Sequence, residues 1–206
     1  MKVLIINGSP HKAGTTATAL AEAERILKEE GIEVESVQIG HLPLRGCNAC
    51  GYCKKNGRCV ENDAVNEVAE KLREADGLIV GSPVYYAAPN GTLLAFLDRL
   101  FYSCHQDLRM KPGAAVVCAR RGGCTASFDV INKYFTISGM PVVSSTYWNQ
   151  VHGAGAEDAL EDKEGLACMR NLARNMAFLV KSIALGKKEY SLPEKESGIR
   201  TSFIRR

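Results

Sequence analysis

The run Lys2-Val3-Leu4-Ile5-Ile6-Asn7, ending at Gly8-Ser9-Pro10, constrains the fold more than any other feature of the chain. It is apolar and β-branched with no polar alternation. Such a run suits a strand buried on both faces, as in a parallel sheet. Leu20, Ala23, Ile26 and Leu27 then recur at helical spacing across residues 15–30, and Gly31 supplies the stop. A strand that feeds a helix through a short turn needs a parallel neighbour, reached by a right-handed crossover.

The rest of the chain supplies those neighbours. Residues 33–39 read as strand two, with Val34, Val37 and Ile39 to bury. Asp63 is placed to cap a helix through about residue 75. Residues 77–81 are strand three, broken by Ser82-Pro83. Leu93, Leu94, Phe96, Leu97 and Leu100 form the apolar face of a helix over 90–103. Residues 113–119 are strand four, 126–138 a helix, 141–146 strand five, and 157–185 a last long helix, in one piece or two. Five strands alternating with helices define an α/β domain with both sheet faces covered. The chain has 206 residues, enough for one such domain. The expected boundaries are a domain over 1–185, with a cysteine-rich loop at 41–62, and an extended tail over 186–206.

Composition excludes several classes. Apolar residues make up 46% and charged residues 24%, which is ordinary for a globular chain and wrong for disorder, collagen-like repeats or coiled coils. The net charge of +3 is too mild for nucleic acid. Lys54, Lys55 and Arg58 read as a solvated loop, or as charges facing an acidic redox partner. No apolar run approaches the roughly 20 residues that span a bilayer, and Met1-Lys2 opens directly on a strand rather than a secretory leader. The expectation is a cytoplasmic protein with no membrane partner.

Three loops would leave the same rim of such a sheet. The first, residues 7–16, runs from strand one into a helix N-terminus, whose unpaired N–H groups and dipole suit a phosphate. Ser9, Thr15 and Thr16 add hydroxyls, and His11 or Lys12 adds charge. It lacks the Gly-Lys-Ser/Thr ending of a nucleoside triphosphate loop and is not Gly-x-Gly-x-x-Gly, so a monophosphate carrying little magnesium fits best. A plain capped helix would read the same way. The second loop, Pro83-Val84-Tyr85-Tyr86, can lay aromatic side chains against a flat ring, or pack them into the core. The third, Ala119-Arg120-Arg121-Gly122-Gly123, lets backbone approach a ligand closely and places Arg121 where negative charge would gather. Its bland reading is a strand-to-helix turn.

These three loops, together with Trp148-Asn149-Gln150-Val151-His152-Gly153 and the ending Arg200-Thr201-Ser202-Phe203-Ile204-Arg205, resemble the NADPH-dependent FMN reductase branch of flavodoxin-like proteins over nearly the whole chain. The resemblance implies a doubly wound five-stranded parallel sheet of order 2-1-3-4-5. It implies FMN phosphate at Ser9, Thr15 and Thr16, with His11 near it, and the flavin ring against residues 83–86 and 119–123. It also implies a homodimer or homotetramer with flavin near the subunit boundary. His11 and Thr15 stand where relatives often carry Arg and Asn. Trp148 reads as packing or as a stacking partner of flavin, and His152 as a loop histidine or a proton donor.

Eight cysteines in a reducing compartment point to metal ligands, redox thiols or buried fillers. Cys47, Cys50, Cys53 and Cys59 crowd into thirteen residues, three of them at two-residue gaps like the start of a cubane site. This resembles the motif of iron–sulfur flavoproteins on the same fold, which implies a [4Fe–4S] cluster. A four-thiolate zinc site or redox-active thiols remain open. Cys118 and Cys168 read as buried fillers. The function expected is an FMN-dependent oxidoreductase carrying electrons from NAD(P)H to a small acceptor such as a quinone, flavin, azo or nitro compound. One alternative is an iron–sulfur flavoprotein fed by a ferredoxin-like donor. The other is a non-enzymatic redox-sensing flavin module.

Overall fold

The computed structural model describes residues 1–196, 198, 199 and 201. The terminal motif singled out above therefore falls mostly outside the described residues. Strands β1 (Lys2–Asn7), β2 (Glu33–Gln38) and β3 (Gly77–Tyr85) alternate with helices α1 (Thr15–Glu29), α2 (Tyr52–Asn56) and α3 (Ala64–Glu74). Then follow β4 (Ala88–Pro89), α4 (Gly91–Ser103), β5 (Gly113–Ala119), α5 (Cys124–Ile137), β6 (Gln150–His152), α6 (Ala156–Glu161) and α7 (Lys163–Tyr190). The main sheet runs β2-β1-β3-β5-β6, all parallel, and β4 folds back antiparallel on β3. With the two-residue β4 set aside, this is the expected 2-1-3-4-5 path.

Alternation along β1 explains the two cores. Val3 and Ile5 face one side, with Ala19, Leu20, Ala23 and Leu27 of α1 and Met169, Leu172, Ala173 and Met176 of α7. Leu4 and Ile6 face the other, with Val65, Val68 and Leu72 of α3 and Leu93, Phe96, Leu97 and Leu100 of α4. Both faces of the strand are covered, which is why its sequence shows no polar alternation. Asp63 caps α3 as expected, its Oδ1 accepting the Val65 N–H at 3.1 Å.

The fifth strand is displaced from its expected place. Within 141–146 only Val142 bridges to the sheet, opposite Gly113, whereas the ladder strand is Gln150–His152, which starts opposite Val117. Eight steps along this edge chain thus match four along β5, and the surplus loops out through Ser144–Trp148. Val143 at one end and Asn149 with Val151 at the other are the residues buried beside that excursion. β-Branched composition pointed to the segment, but burial selected only its ends. The last helix is two pieces, α6 and α7. The second extends to Tyr190, so residues 186–190, expected in the tail, are helical. The short α2 inside the cysteine loop had no counterpart in the sequence reading.

Glu22 on α1 joins the two helices of one face. It takes hydrogen bonds from Arg25 at 2.9 Å and from Arg170 of α7 at 2.9 Å. The Arg25 contact, with Arg170 behind it, holds the carboxyl down at about 2. The unfolded chain therefore binds this proton first. The stabilisation is present above about pH 4.5 and is lost as pH falls towards 2. Glu22→Gln is expected to cost about 1–2 kcal/mol at neutral pH and to flatten the loss of melting temperature across that acid window, as thermal denaturation against pH will show.

Candidate functional site

The rim at the C-terminal ends of β1, β3 and β5 is built by close backbone approach. Gly8 N donates to Gly81 O at 2.8 Å, and the Asn90 side chain donates to Gly8 O at 2.9 Å. The Asn90 backbone N–H reaches Ser82 Oγ at 3.0 Å, and its Oδ1 caps α4 through Thr92 N at 2.8 Å. A Cβ on Gly40 would lie 2.1 Å from Gly8 O, so the chain leaving β2 can rest there only as glycine. Gln38 Nε2 donates to Ser9 O at 3.0 Å and closes the same corner.

The loop between β1 and α1 leaves a helix N-terminus without a side-chain cap and without an acidic residue in its first turn. Both features suit an anion there. The hydroxyls are partly engaged by the protein. Ser9 Oγ accepts from His11 N at 3.1 Å and keeps its own hydrogen to give. Thr15 Oγ1 donates towards the Gly153 and Gly155 carbonyls, each at 3.1 Å, and so ties this loop to the turn after β6. Thr16 is buried against the Cys118 thiol, which burial pushes up to about 12. The backbone N–H groups of α1 remain as the main donors to an anion, with His11 and Lys12 exposed beside them.

The aromatic loop is a two-residue hairpin. Tyr85 pairs with Ala88, and Tyr86 and Ala87 take φ of 50° and 59°. Two left-handed residues match the twist of the strands, but without glycine they cost about 1 kcal/mol each. The turn stands Tyr86 fully in solvent with Tyr85 about half exposed, and Pro83 and Val84 lie half-buried behind them. Gly123 (φ 96°) packs under it, because a Cβ there would lie 2.9 Å from Ala87 Cα and 2.9 Å from Val84 Cγ1. The structure thus brings Pro83, Val84, Tyr85 and Tyr86 beside Gly122 and Gly123. Ala119 is half-buried at the end of β5, and Arg121 is exposed in the loop that follows it. The uncapped start of α1, the exposed tyrosines and the glycine loop thus share one rim of the sheet.

His152 lies at the end of β6, its Nδ1 3.7 Å from Asp162 Oδ2. Trp148 is exposed on the looped-out edge, where Tyr147 meets it edge-on with ring centroids 4.5 Å apart.

The four clustered cysteines line one pocket with Arg99, Tyr102 and Ser103. Cys53 is buried, Cys59 half-buried, and Cys47 and Cys50 exposed. The loop turns through left-handed Ala49, Gly51 and Gly57. Among the described residues no three His, Cys, Asp or Glu side chains are drawn together as metal ligands. The donor set nevertheless fits a sulfur-ligated group, since four thiols share a pocket with a buried guanidinium that points at one of them. Arg99 gives Nε and Nη2 to Cys59 Sγ at 3.3 and 3.2 Å. It also clasps Asp63 at 2.7 and 3.0 Å and touches Arg45 O at 3.3 Å. Asp63 and Cys59 raise the Arg99 pKa against the burial that works to lower it. Sequence reasoning missed Arg99 and Asn90. The available signal for Arg99 was a lone arginine three residues after Phe96 on the apolar side of α4.

The fold and this rim define a flavodoxin-like protein. The sequence profile of the NADPH-dependent FMN reductase family matches residues 1–155, and the chain belongs to that family. It is by that membership an FMN-binding flavoprotein. It is 36% identical over 191 residues to an iron–sulfur flavoprotein of Methanocaldococcus jannaschii, covering 89% of this chain and 99% of that one. A second, from Methanosarcina thermophila, is 32% identical over 187 residues, covering 89% and 97%. Among solved structures, RosB with a bound 8-demethyl-8-formylriboflavin-5′-phosphate intermediate superposes with a TM-score of 0.72 at 16% identity, covering 100% of this chain and 94% of that one. Among the described residues no helix is long and apolar enough to cross a membrane.

Gly123→Ala forces the hairpin and the glycine loop apart. It is expected to weaken FMN binding by about tenfold or more, as a contact misplaced by an ångström does, with the secondary structure retained. Fluorescence titration of the flavin-stripped chain, alongside circular dichroism, checks this.

Proposed function

We propose that this protein is an FMN-dependent oxidoreductase in which the cysteine loop carries a [4Fe–4S] cluster that exchanges electrons with the flavin. The observation that carries this reading is that Cys47, Cys50, Cys53 and Cys59 line one pocket against the buried Arg99. The strand leading into that loop is tied to the phosphate loop through Gln38 and Gly40. The names of the relatives from M. jannaschii and M. thermophila favour the same reading. When bound, FMN supplies one- and two-electron chemistry and the cluster supplies one-electron chemistry.

The chain's own residues then have distinct tasks. The N–H groups at the start of α1, the Ser9 hydroxyl and His11 hold the phosphate, while Thr15 and Thr16 brace the loop. Residues 83–86 and 119, 122 and 123 form the ring shelf, and Arg121 offers positive charge where a reduced ring gathers negative charge. Cys47, Cys50, Cys53 and Cys59 are the ligands. A ferredoxin-like protein is the donor in this reading, and a homodimer or homotetramer brings a neighbouring subunit to the exposed tyrosines. The family match favours a second reading, in which NAD(P)H reduces the flavin and a small quinone, flavin, azo or nitro compound accepts the electrons.

Anaerobically purified protein is expected to show flavin bands with a broad shoulder and about four irons per chain. Cys50→Ser should remove the iron and leave FMN bound. Flavin without iron, bleaching with NADPH or NADH, would favour the second reading instead. A colourless preparation that ignores added FMN would contradict both.

A further inference from the structure

Arg99 is the largest fully buried side chain of the protein among the described residues. Its charge is taken up in an uncommon way. One edge of the guanidinium forks onto Asp63, the N-cap of α3, and Nε with Nη2 also gives two N–H groups to the Cys59 sulfur. Burying an arginine costs several kcal/mol unless its donors are met. Here a sulfur, a poor acceptor when neutral, receives two of them. One helical turn further along α4, Ser103 is 3% exposed and its Oγ has no hydrogen-bond partner. It lines the same pocket as the four cysteines. A buried hydroxyl without a partner costs roughly 1–3 kcal/mol, and although Asp63 and Arg45 O take up part of the guanidinium, the two N–H groups aimed at Cys59 are weakly met by a neutral thiol. Both observations resolve together if the pocket holds electron-rich sulfur.

We infer that Arg99 and Ser103 form a donor ledge on α4 that faces the sulfurs of the cysteine pocket and sets how readily the group held there accepts an electron, with Arg99 also fixing the position of Cys59. The inference rests on the cluster reading proposed above. The physical reason is charge. Reduction adds a negative charge to the sulfur-bound group, and N–H and O–H donors with a fixed positive charge stabilise the reduced form more than the oxidised one. Asp63 holds the guanidinium plane in place and partly offsets its charge. A lysine cannot replace the fork, since its ammonium is a point donor unable to span a carboxylate and a sulfur in one plane. Both residues act through the cysteine sulfurs and are positioning residues.

Three variants of the full chain, purified anaerobically with both groups bound, test this by iron analysis and by spectroelectrochemical titration of the cluster and flavin potentials. In Arg99→Gln the cluster is expected to be harder to reduce by about tenfold in the equilibrium constant, which for one electron is about 59 mV, with the flavin potential nearly unmoved. Arg99→Lys should shift it in the same direction by less. Ser103→Ala removes an unpartnered buried hydroxyl. A packing role alone predicts a neutral or more stable protein with no change in potential, whereas the ledge predicts a lower cluster potential at full iron content. Loaded Arg99 variants with unchanged potentials would overturn the role of Arg99. An unmoved Ser103→Ala would overturn that of Ser103. If both Arg99 variants fail to take up iron, Arg99 assembles the site rather than tuning it, and the inference for that residue falls. Wild-type protein without iron would instead overturn the cluster reading itself, a result separate from all of these.

Discussion

The Asn90 carboxamide is the interaction on which the rim depends. It gives its N–H to Gly8 O at the end of β1 and accepts the Thr92 N–H that opens α4, while its backbone N–H reaches Ser82 Oγ beside β3. One buried residue thereby fixes the β1–α1 loop, the hairpin and a helix relative to each other. Its hydrogen bonds are made away from water, where losing any partner leaves an unpaired polar group. The glycines at 8 and 40 then let two further backbones come within contact of that point. A site assembled from loops needs such a rigid footing to hold a ring and a phosphate in register.

The same helix that Asn90 caps carries Arg99 and Ser103 towards the cysteine loop. α4 therefore connects the rim, through its N-terminus, to the thiol pocket, through its middle and end. The cysteine loop has little core of its own. Of its four cysteines only Cys53 is buried, and the loop turns on residues with positive φ. Leu42 and Leu44 pack its entry on the core, and beyond them polar contacts hold it: Asn66 accepts the Cys59 N–H at 2.9 Å and gives to Cys59 O at 3.1 Å, and Arg99 reaches the sulfur. A bound sulfur-ligated group would add the cross-links that apolar packing does not supply there.

The fold was legible in the sequence because its central strands are buried on both faces. β1 and β5 show this as uninterrupted apolar runs, and the Asp63 cap and the Gly31 stop mark helix ends by local chemistry alone. The edge strand was not legible, since the loop between Val143 and Val151 carries Thr146, Tyr147 and Trp148, which favour strands as much as the paired residues do. Tyr85 and Tyr86 were visible as a loop, but their left-handed turn without glycine could not be read from composition. For the site, the sequence pointed to three loops on one rim and to the hydroxyls of Thr15 and Thr16. The structure engages both within the protein, a long-range pairing with Gly153 and Gly155 in one case and burial in the other. Arg99 stayed hidden because an arginine on an apolar helix face gains meaning only from partners 36 and 40 residues away.

We propose that a phosphate sits at the start of α1, beside a shelf for the ring. Comparing FMN with riboflavin on the flavin-stripped chain tests it most directly, because the two ligands share the ring and differ in the phosphate. Two or three charge-assisted hydrogen bonds to that group are worth about 3 kcal/mol, or roughly 100-fold in affinity. FMN binding about 100-fold tighter than riboflavin, with the margin shrinking as salt is raised, is the result expected. Equal affinity for the two would contradict the assignment of this helix end as the phosphate site.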